Sequence, residues 1–392
     1  MVKLMVILEA TMGGIRKHVV DLLTGLERDQ FEVTFVFSKE RADQIFPLQL
    51  PLLISKGIRL IELPMCRNIS IIKDVKALMR LIGILRQYPP DILHLHGAKG
   101  GALGRAAARI LGIKNVIYNP HGGSFHKFQG LMGRFYLAVE QVLTVTQTQF
   151  IGVSADSCKN IEQFLKVKKE NISKIYNGLD LVPLTDQTDG AIDFKKSHGI
   201  EDSKFVVLYP AVFLESKGHL DFIEGLNSVK SHLGESLLII LAGDGPLRSK
   251  IEKTINAYGL NKYFKLLGFV NDLSVVYKAC ALVMLPSRNE VFGYVLLEAM
   301  SCSKAVMATA VGGIPEIVIH GHNGELFDSD DLKAMALRIL EISKDDVLLK
   351  RYESNARRRV AEFTKESMVN QTKDLYRRML SGGYPEHRGN FK

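Results

Sequence analysis

Glu290 and Glu298 stand eight positions apart in the stretch PSRNEVFGYVLLEAMSC, on either side of Phe292 and Gly293. Two carboxylates at that spacing can divide labour. If a helix begins at the Phe292-Gly293 step, Glu290 lies on the loop at its mouth. Glu298 then lies about five residues inside, under two turns. A carboxylate among apolar side chains is costly unless it is hydrogen-bonded. A vicinal diol offers it two donors, and a core lysine would satisfy it as well; spacing alone leaves both open. Glu290, nearer the opening, can take hydroxyls of a second sugar. Between the two, the first N–H groups of the helix form a phosphate site that Gly293 leaves open to approach. Diol, phosphate and sugar hydroxyls together outline a nucleotide-sugar.

Other polar residues are weighed against bland alternatives. His121 follows Pro120 and precedes two glycines at a strand end, where it faces either a ligand or only its own loop. His94 and His96 alternate on a strand and so share a face. No third ligand is evident, so packing is expected and no metal site is assigned. Asp328-Ser329-Asp330 resembles a manganese-binding pair, but a helix follows it and capping explains it better. HGAKGGALGR lacks the Gly-Lys-Ser/Thr ending of a P-loop, and GDGPLR lacks the third glycine of a dinucleotide fingerprint. ATPase and dehydrogenase chemistry are set aside on those grounds.

These residues need a frame. Apolar strand patterns at 2–8, 31–37, 91–96 and 115–123 alternate with helical patterns at 15–27, 71–87, 101–111 and 131–146. After a polar stretch the alternation restarts, with strands at 205–210, 236–242, 264–267, 281–285 and 305–308. Such alternation means parallel sheets covered by helices on both faces, and ligands at the carboxyl ends of the strands. The expectation is an α/β chain of two doubly wound, Rossmann-like domains facing across a cleft. The first spans 1–183 and binds the acceptor; 184–204 is a linker; 205–363 binds the donor. A helix over 364–380 packs back on the first domain, and 381–392 is a disordered tail.

Composition fits this frame. The 392 residues are 46% apolar and 24% charged, which is ordinary globular composition and long enough for two domains. Four scattered cysteines form no Cys-x-x-Cys pair, so neither a disulfide framework nor a zinc site is expected, and a reducing cytoplasm is the natural home. The first ten residues read as a buried strand interrupted by Glu9, not as a signal peptide. No apolar run reaches a membrane span. The net charge of +9 is uneven: residues 1–180 carry 24 Lys and Arg against 15 Asp and Glu, while the remainder carries 27 of each. That excess suits an anionic surface, with a position at the inner face of the membrane as the consequence. Residues 71–87, with Lys73, Lys76, Arg80 and Arg86 beside an apolar face, are the candidate surface helix. No nucleic-acid-binding pattern accompanies the charge.

PSRNEVFGYVLLEAMSC, followed by VGGIPEIVIHGHNGELF, resembles the Glu-x7-Glu signature of the retaining GT-B glycosyltransferases, family 4, with their "group 1" donor domain. EATMGGIRKHVVDLL, NPHGG, IYNGLD, LAGDGPLR and FKLLGFVNDLSVVYKACALVMLPS resemble further motifs of that family, in the right order over nearly the whole chain. The resemblance implies that Glu298 holds the donor ribose and that Glu290 binds donor-sugar hydroxyls. It also implies that Gly293 and Tyr294, beside Phe292, offer backbone N–H groups to the phosphates. Lys217 is the implied cation on the diphosphate, Gly13 and Gly14 let the first loop approach donor and acceptor, and Gly243 lies in the donor-domain core. His121 is implied beside the transferred carbon. No metal or other cofactor is implied.

Two departures stand out. The family usually has an arginine five positions before the lysine, and here that position is Val212; Arg16 and Arg288 are the nearest replacement cations by motif. The common Cys-Gly-x-Pro-Val turn reads Cys302-Ser303-Lys304-Ala305-Val306, for which a backbone adjustment is expected. The function implied is transfer of a hexosyl or N-acetylhexosaminyl group from a UDP- or GDP-linked sugar to a sugar or lipid-linked hydroxyl acceptor. Anomeric retention and a role in cell-surface polysaccharide or glycolipid synthesis go with it. The alternatives are a nucleotide-sugar epimerase on the same architecture, a donor-binding partner subunit without catalysis, and a membrane scaffold that has lost the site.

Overall fold

A computed structural model describes residues 1–121, 130–144, 148–181 and 188–382. The chain divides into two compact units, Met1–Gly178 joined by the stretch from Lys365 onward, and Leu179–Thr364.

The first unit runs β1 (Val2–Leu8), α1 (Gly13–Gly25), β2 (Phe31–Phe37), α2 (Phe46–Ser55), β3 (Arg59–Glu62), α3 (Ile71–Gln87), β4 (Ile92–His96), α4 (Ala98–Leu111), β5 (Val116–Asn119), α5 (Gly130–Leu143), β6 (Thr148–Gly152), α6 (Ala155–Leu165) and β7 (Ile172–Lys174). Its described strands form a parallel sheet in the order β3-β2-β1-β4-β5-β6-β7, so the winding reverses between β1 and β4. β1 shows why a near-continuous apolar run makes a central strand. Leu4, Val6 and Leu8 enter the core under one face, and Met5 and Ile7 enter the core under the other.

The second unit runs α7 (Thr188–Ser197), β8 (Phe205–Pro210), α8 (His219–Ser228), β9 (Leu237–Ala242), α9 (Arg248–Ala257), β10 (Phe264–Gly268), α10 (Ser274–Ala279), β11 (Leu282–Leu285), α11 (Tyr294–Ser301), β12 (Ala305–Thr309), α12 (Ile314–Ile317), β13 (Gly324–Phe327), α13 (Leu332–Ile342) and α14 (Asp346–Val360). The described strands order as β10-β9-β8-β11-β12-β13, all parallel, and reverse between β8 and β11. The last helix, α15 (Lys365–Leu380), belongs to the first unit. There Val369 packs against Gly25, Lys373 pairs with Glu27 and Tyr376 joins the core.

Two local expectations need correction. The stretch 184–204 is not simply a linker, because its described part contains α7, seated on α10 through Gly190 and Val275. The polar composition hid this helix, which closes at Gly199 (φ +62°) and buries Ile200 behind it. The remaining linker residues, 184–187, and residues 383–392 of the expected tail lie outside the described residues. The cap of α13 is Asp331, whose carboxylate accepts the Ala334 N–H at 3.0 Å; the Asp328-Ser329-Asp330 triplet does not supply it. Ser303 holds the left-handed conformation (φ +56°) that glycine fills freely, at a cost of about 1–2 kcal/mol.

Candidate donor and histidine sites at the two switch points

In the second unit the loops after β8 and β11, the two strands flanking the reversal, are stitched together. The Arg288 N–H donates to the Ser216 carbonyl at 2.9 Å, and the Arg288 guanidinium grips Asp221 through two bonds of 2.5 and 2.6 Å. Buried Tyr209 donates its hydroxyl to the Lys217 carbonyl. Lys217 Nζ then meets Glu290 Oε2 at 2.5 Å, both side chains about one-fifth exposed or less. Glycine makes the stitching possible. A Cβ on Gly218 (φ +75°) would fall 2.0 Å from the Pro286 carbonyl oxygen, and one on Gly312 (φ +55°) would fall 1.7 Å from that of Glu290. The Glu290 loop is thus pressed between two backbone segments that no side chain could separate.

Gly293 (φ +96°) caps α11, which begins at Tyr294. Glu298 lies inside that helix, half-buried, and accepts a hydrogen bond of 3.0 Å from the Tyr277 hydroxyl. Burial, with Glu298 adding to it, holds the Tyr277 phenol well above its usual range, so it stays a donor. Of the two satisfiers left open for Glu298, this contact is neither: a tyrosine holds the carboxylate. Phe292 turns its ring into the core, 2% exposed and edge-on to Phe363, so the ring is not available to a donor. Gly243 follows β9, and a Cβ there would fall 2.0 Å from the Ala211 carbonyl oxygen; backbone packing accounts for it. One residue escaped notice. His219, directly after Gly218, is buried and stacked on Tyr209 at 4.2 Å, and burial lowers its pKa to about 3. Its only sequence signal was its place beside the lysine.

In the first unit Gly13 opens α1 (φ +59°) with Gly14 exposed beside it, and the Gly13 N–H donates to Asp43 at 2.8 Å. Arg16 donates to the same carboxylate at 2.9 Å and to Gln49 at 2.6 Å, and it is buried. It therefore positions the glycine loop and is not a free cation. Arg288, the other replacement named for the missing arginine, is exposed but already paired with Asp221.

His121 gathers unexpected company. β4 pairs with β5 so that His96 faces Asn119, which brings His121 to the same sheet end. His96 Nδ1 lies 2.9 Å from His121 Nε2, and His18 of α1 stands 4.7 Å from His121 between ring centroids. His94 stacks beside His96 and bonds the Tyr376 hydroxyl at 2.7 Å. The third histidine is His18, which lies on α1 and not on either strand, with its ring 5.5 Å from that of His96 between centroids. Gly122 and Gly123 lie outside the described residues.

Two family models divide the chain between them: "Glycosyltransferase Family 4" matches residues 12–182 and "Glycosyl transferases group 1" matches residues 191–359. The chain belongs to the GT-B glycosyltransferases of family 4 type. It is 27% identical over 370 residues to the Escherichia coli UDP-Gal:alpha-D-GlcNAc-diphosphoundecaprenol alpha-1,3-galactosyltransferase, covering 93% of this chain and 94% of that one. It is 27% identical over 312 residues to the Bacillus anthracis N-acetyl-alpha-D-glucosaminyl L-malate synthase, covering 77% and 78%. The crystal structure of Anabaena HepE in complex with UDP and glucose shares the fold, with a TM-score of 0.82 at 22% identity over 96% of this chain and 100% of that one. Within this family 4 glycosyltransferase, Val212 is 40% exposed on the loop after β8. A groove lined by Lys3, Glu32, Arg59 and Tyr88 lies at the amino ends of the first sheet's strands, away from all of these residues.

Proposed function

We propose that the protein moves a hexosyl or N-acetylhexosaminyl group from a nucleoside diphosphate sugar to a hydroxyl acceptor, with retention of anomeric configuration. The observation that carries this reading is the Lys217–Glu290 pair at the switch point of the second sheet, beside the Gly293 helix mouth and Glu298. Without substrate each charge neutralises the other. With a diphosphate in place, Lys217 turns to the phosphate and Glu290 is released to the sugar hydroxyls, so charge balance holds in both states. Glu298 takes the ribose diol, with Tyr277 fixing the carboxylate. In the transfer step the bond from the anomeric carbon to the diphosphate oxygen breaks, and the acceptor oxygen bonds on the same face. The acceptor proton passes to the leaving phosphate oxygen, and Lys217 neutralises the charge that develops there.

UDP is the first diphosphate to test, because the names of the Escherichia coli relative and the Anabaena structure both contain it. Calorimetric titration with UDP, GDP and ADP, beside a Glu298→Ala variant, tests the donor site. One diphosphate is expected to bind the wild type and to lose affinity in the variant. Binding of none would overturn the donor reading. Proton NMR of the first-formed product tests retention, which an inverted anomer would overturn.

An anionic membrane surface and a lipid-linked acceptor fit α3. It buries Ala77, Leu81, Ile82 and Leu85, yet leaves Ile71, Ile72, Val75 and Met79 each more than half exposed among exposed Lys73, Lys76, Arg80 and Arg86. No described helix is long and apolar enough to cross a membrane. All four cysteines are free thiols, which suits a reducing cytoplasm. Flotation with anionic but not zwitterionic vesicles is expected, and equal flotation with both would remove the electrostatic part of this reading.

A further inference from the structure

We propose that His96 is a positioning residue: it fixes which nitrogen of His121 carries the ring proton, so that His121 meets a bound sugar oxygen as a donor through Nδ1. Contact with the sugar rests on the donor reading above, whereas the placement of the proton depends on the first unit alone. His96 Nδ1 lies 2.9 Å from His121 Nε2. Burial holds both imidazoles well below their usual pKa range, so both rings are neutral and each carries one proton. Only one proton can lie between the two facing nitrogens, which leaves two arrangements. In the first, His96 Nδ1–H donates to His121 Nε2, and the His121 proton sits on Nδ1. In the second, His121 Nε2–H donates to His96 Nδ1, and the His96 proton sits on Nε2. His96 decides between them. It is fully buried, and among the described residues its Nε2 has no hydrogen-bond partner. The second arrangement would bury an N–H donor there unmatched. The first leaves only a spare acceptor lone pair, the less rare of the two defects in folded proteins. The first arrangement therefore holds. Because His96 occupies Nε2, a ligand reaches His121 only at Nδ1, and finds a proton there.

The surroundings hold this pair as a unit. His94 stacks on His96 with ring centroids 4.1 Å apart, and its own Nδ1 bonds the Tyr376 hydroxyl of α15 at 2.7 Å. His18 and His121 meet edge to face, with centroids 4.7 Å apart. His121 sits in left-handed backbone (φ +50°), pinned by its N–H donating to the Asn119 side-chain oxygen at 3.2 Å. Such strain persists where the surroundings over-determine it, and it concentrates at ligand sites. His18, His94 and His96 are buried while His121 is part-exposed, so of these four rings His121 is the one open to a ligand.

The test is the nitrogen NMR spectrum of the full chain, isotope-labelled in its histidines, in which couplings from the ring carbon-bound protons tell a protonated nitrogen from a bare one. His121→Asn identifies the His121 signals, and asparagine suits the left-handed backbone there. In the wild type His121 should be protonated on Nδ1 and bare on Nε2. The reverse would overturn the proposal without any variant at position 96. His96→Leu should shift His121 toward the Nε2–H form, the commoner one of a free imidazole; no shift would show that His96 does not set it. His96→Asn, whose amide nitrogen can stand in for Nδ1–H, should restore the wild-type pattern, which a merely structural role of His96 would not do. UDP, and then UDP-glucose, UDP-galactose and UDP-N-acetylglucosamine, are added to the wild type. One UDP-sugar should move the His121 Nδ1 resonance, and UDP alone should not. A UDP-sugar that binds by calorimetry yet leaves that resonance in place would overturn the contact with the sugar. If no UDP-sugar binds, the donor reading fails, and the spectrum of the free chain still decides the role of His96.

Discussion

Where β1 and β4 part in the first sheet, the structure gathers His18, His96 and His121. Where β8 and β11 part in the second, it gathers Lys217, Asp221, Arg288 and Glu290. The two places are topologically the same point of the same doubly wound design. Their polarity is opposite. The first is lined by buried, neutral imidazoles, and the second by paired formal charges on part-exposed loops. Topology decides where a ligand can bind, and the side chains decide its charge. Neutral rings suit an uncharged hydroxyl. Paired charges suit a polyanion, because each pair can open to receive it without leaving a charge unmatched.

The largest expected effect falls on the charged end. Lys217→Ala should lower kcat by about 10²–10³, the size seen when one preorganised donor to developing charge is removed. The diphosphate affinity should fall with it. A loss below about tenfold would mean that the leaving group is neutralised elsewhere, and the contrast between the two ends would weaken. Steady-state kinetics on the variant decide it.

The same contrast explains what could be read from the chain. The sheets were legible because buried parallel strands are continuous apolar runs, as β9 and β11 are. Glu290 and Glu298 were legible because both sit on one short strand-loop-helix segment whose spacing fixes their separation. The histidine cluster was not, because its members lie on three elements, and only the β4–β5 register and the crossing of α1 bring them together. Lys217 and Glu290 are 73 positions apart, and their contact depends on two glycines whose importance shows only when the opposing carbonyls are seen. α7 was missed for a different reason: a short polar helix resembles a linker in composition.

A second prediction sharpens the neutral end. The unfolded chain protonates His18 near its ordinary 6.5, the folded chain only at about 4. Between those values the unfolded state holds more protons, so stability falls as pH falls, by about 3 kcal/mol from His18 alone. His94, lowered to about 3 by burial, carries the decline further. Melting temperatures measured from pH 7 downward should drop below about pH 6.5 in the wild type and drop less steeply in His18→Gln. Parallel curves would mean that the folded protein accepts the proton there without penalty.

The smallest effect tests the departure at Val212. The side chain is 40% exposed on the loop after β8, so Val212→Arg adds a cation that can extend into solvent. Stability should change by less than about 0.5 kcal/mol, as for most surface substitutions. If the donor diphosphate lies where Lys217 puts it, the new guanidinium gains a charge-assisted bond, and UDP affinity should rise by about tenfold, the low end for such a contact. The gain should shrink as salt is added, because an exposed pair is screened. A rise in affinity that ignores salt would point to packing instead of charge. No rise at all would mean that Arg288, released from Asp221, already fills the place of the missing arginine, and a double variant with Arg288→Ala would then recover the full effect of the new side chain.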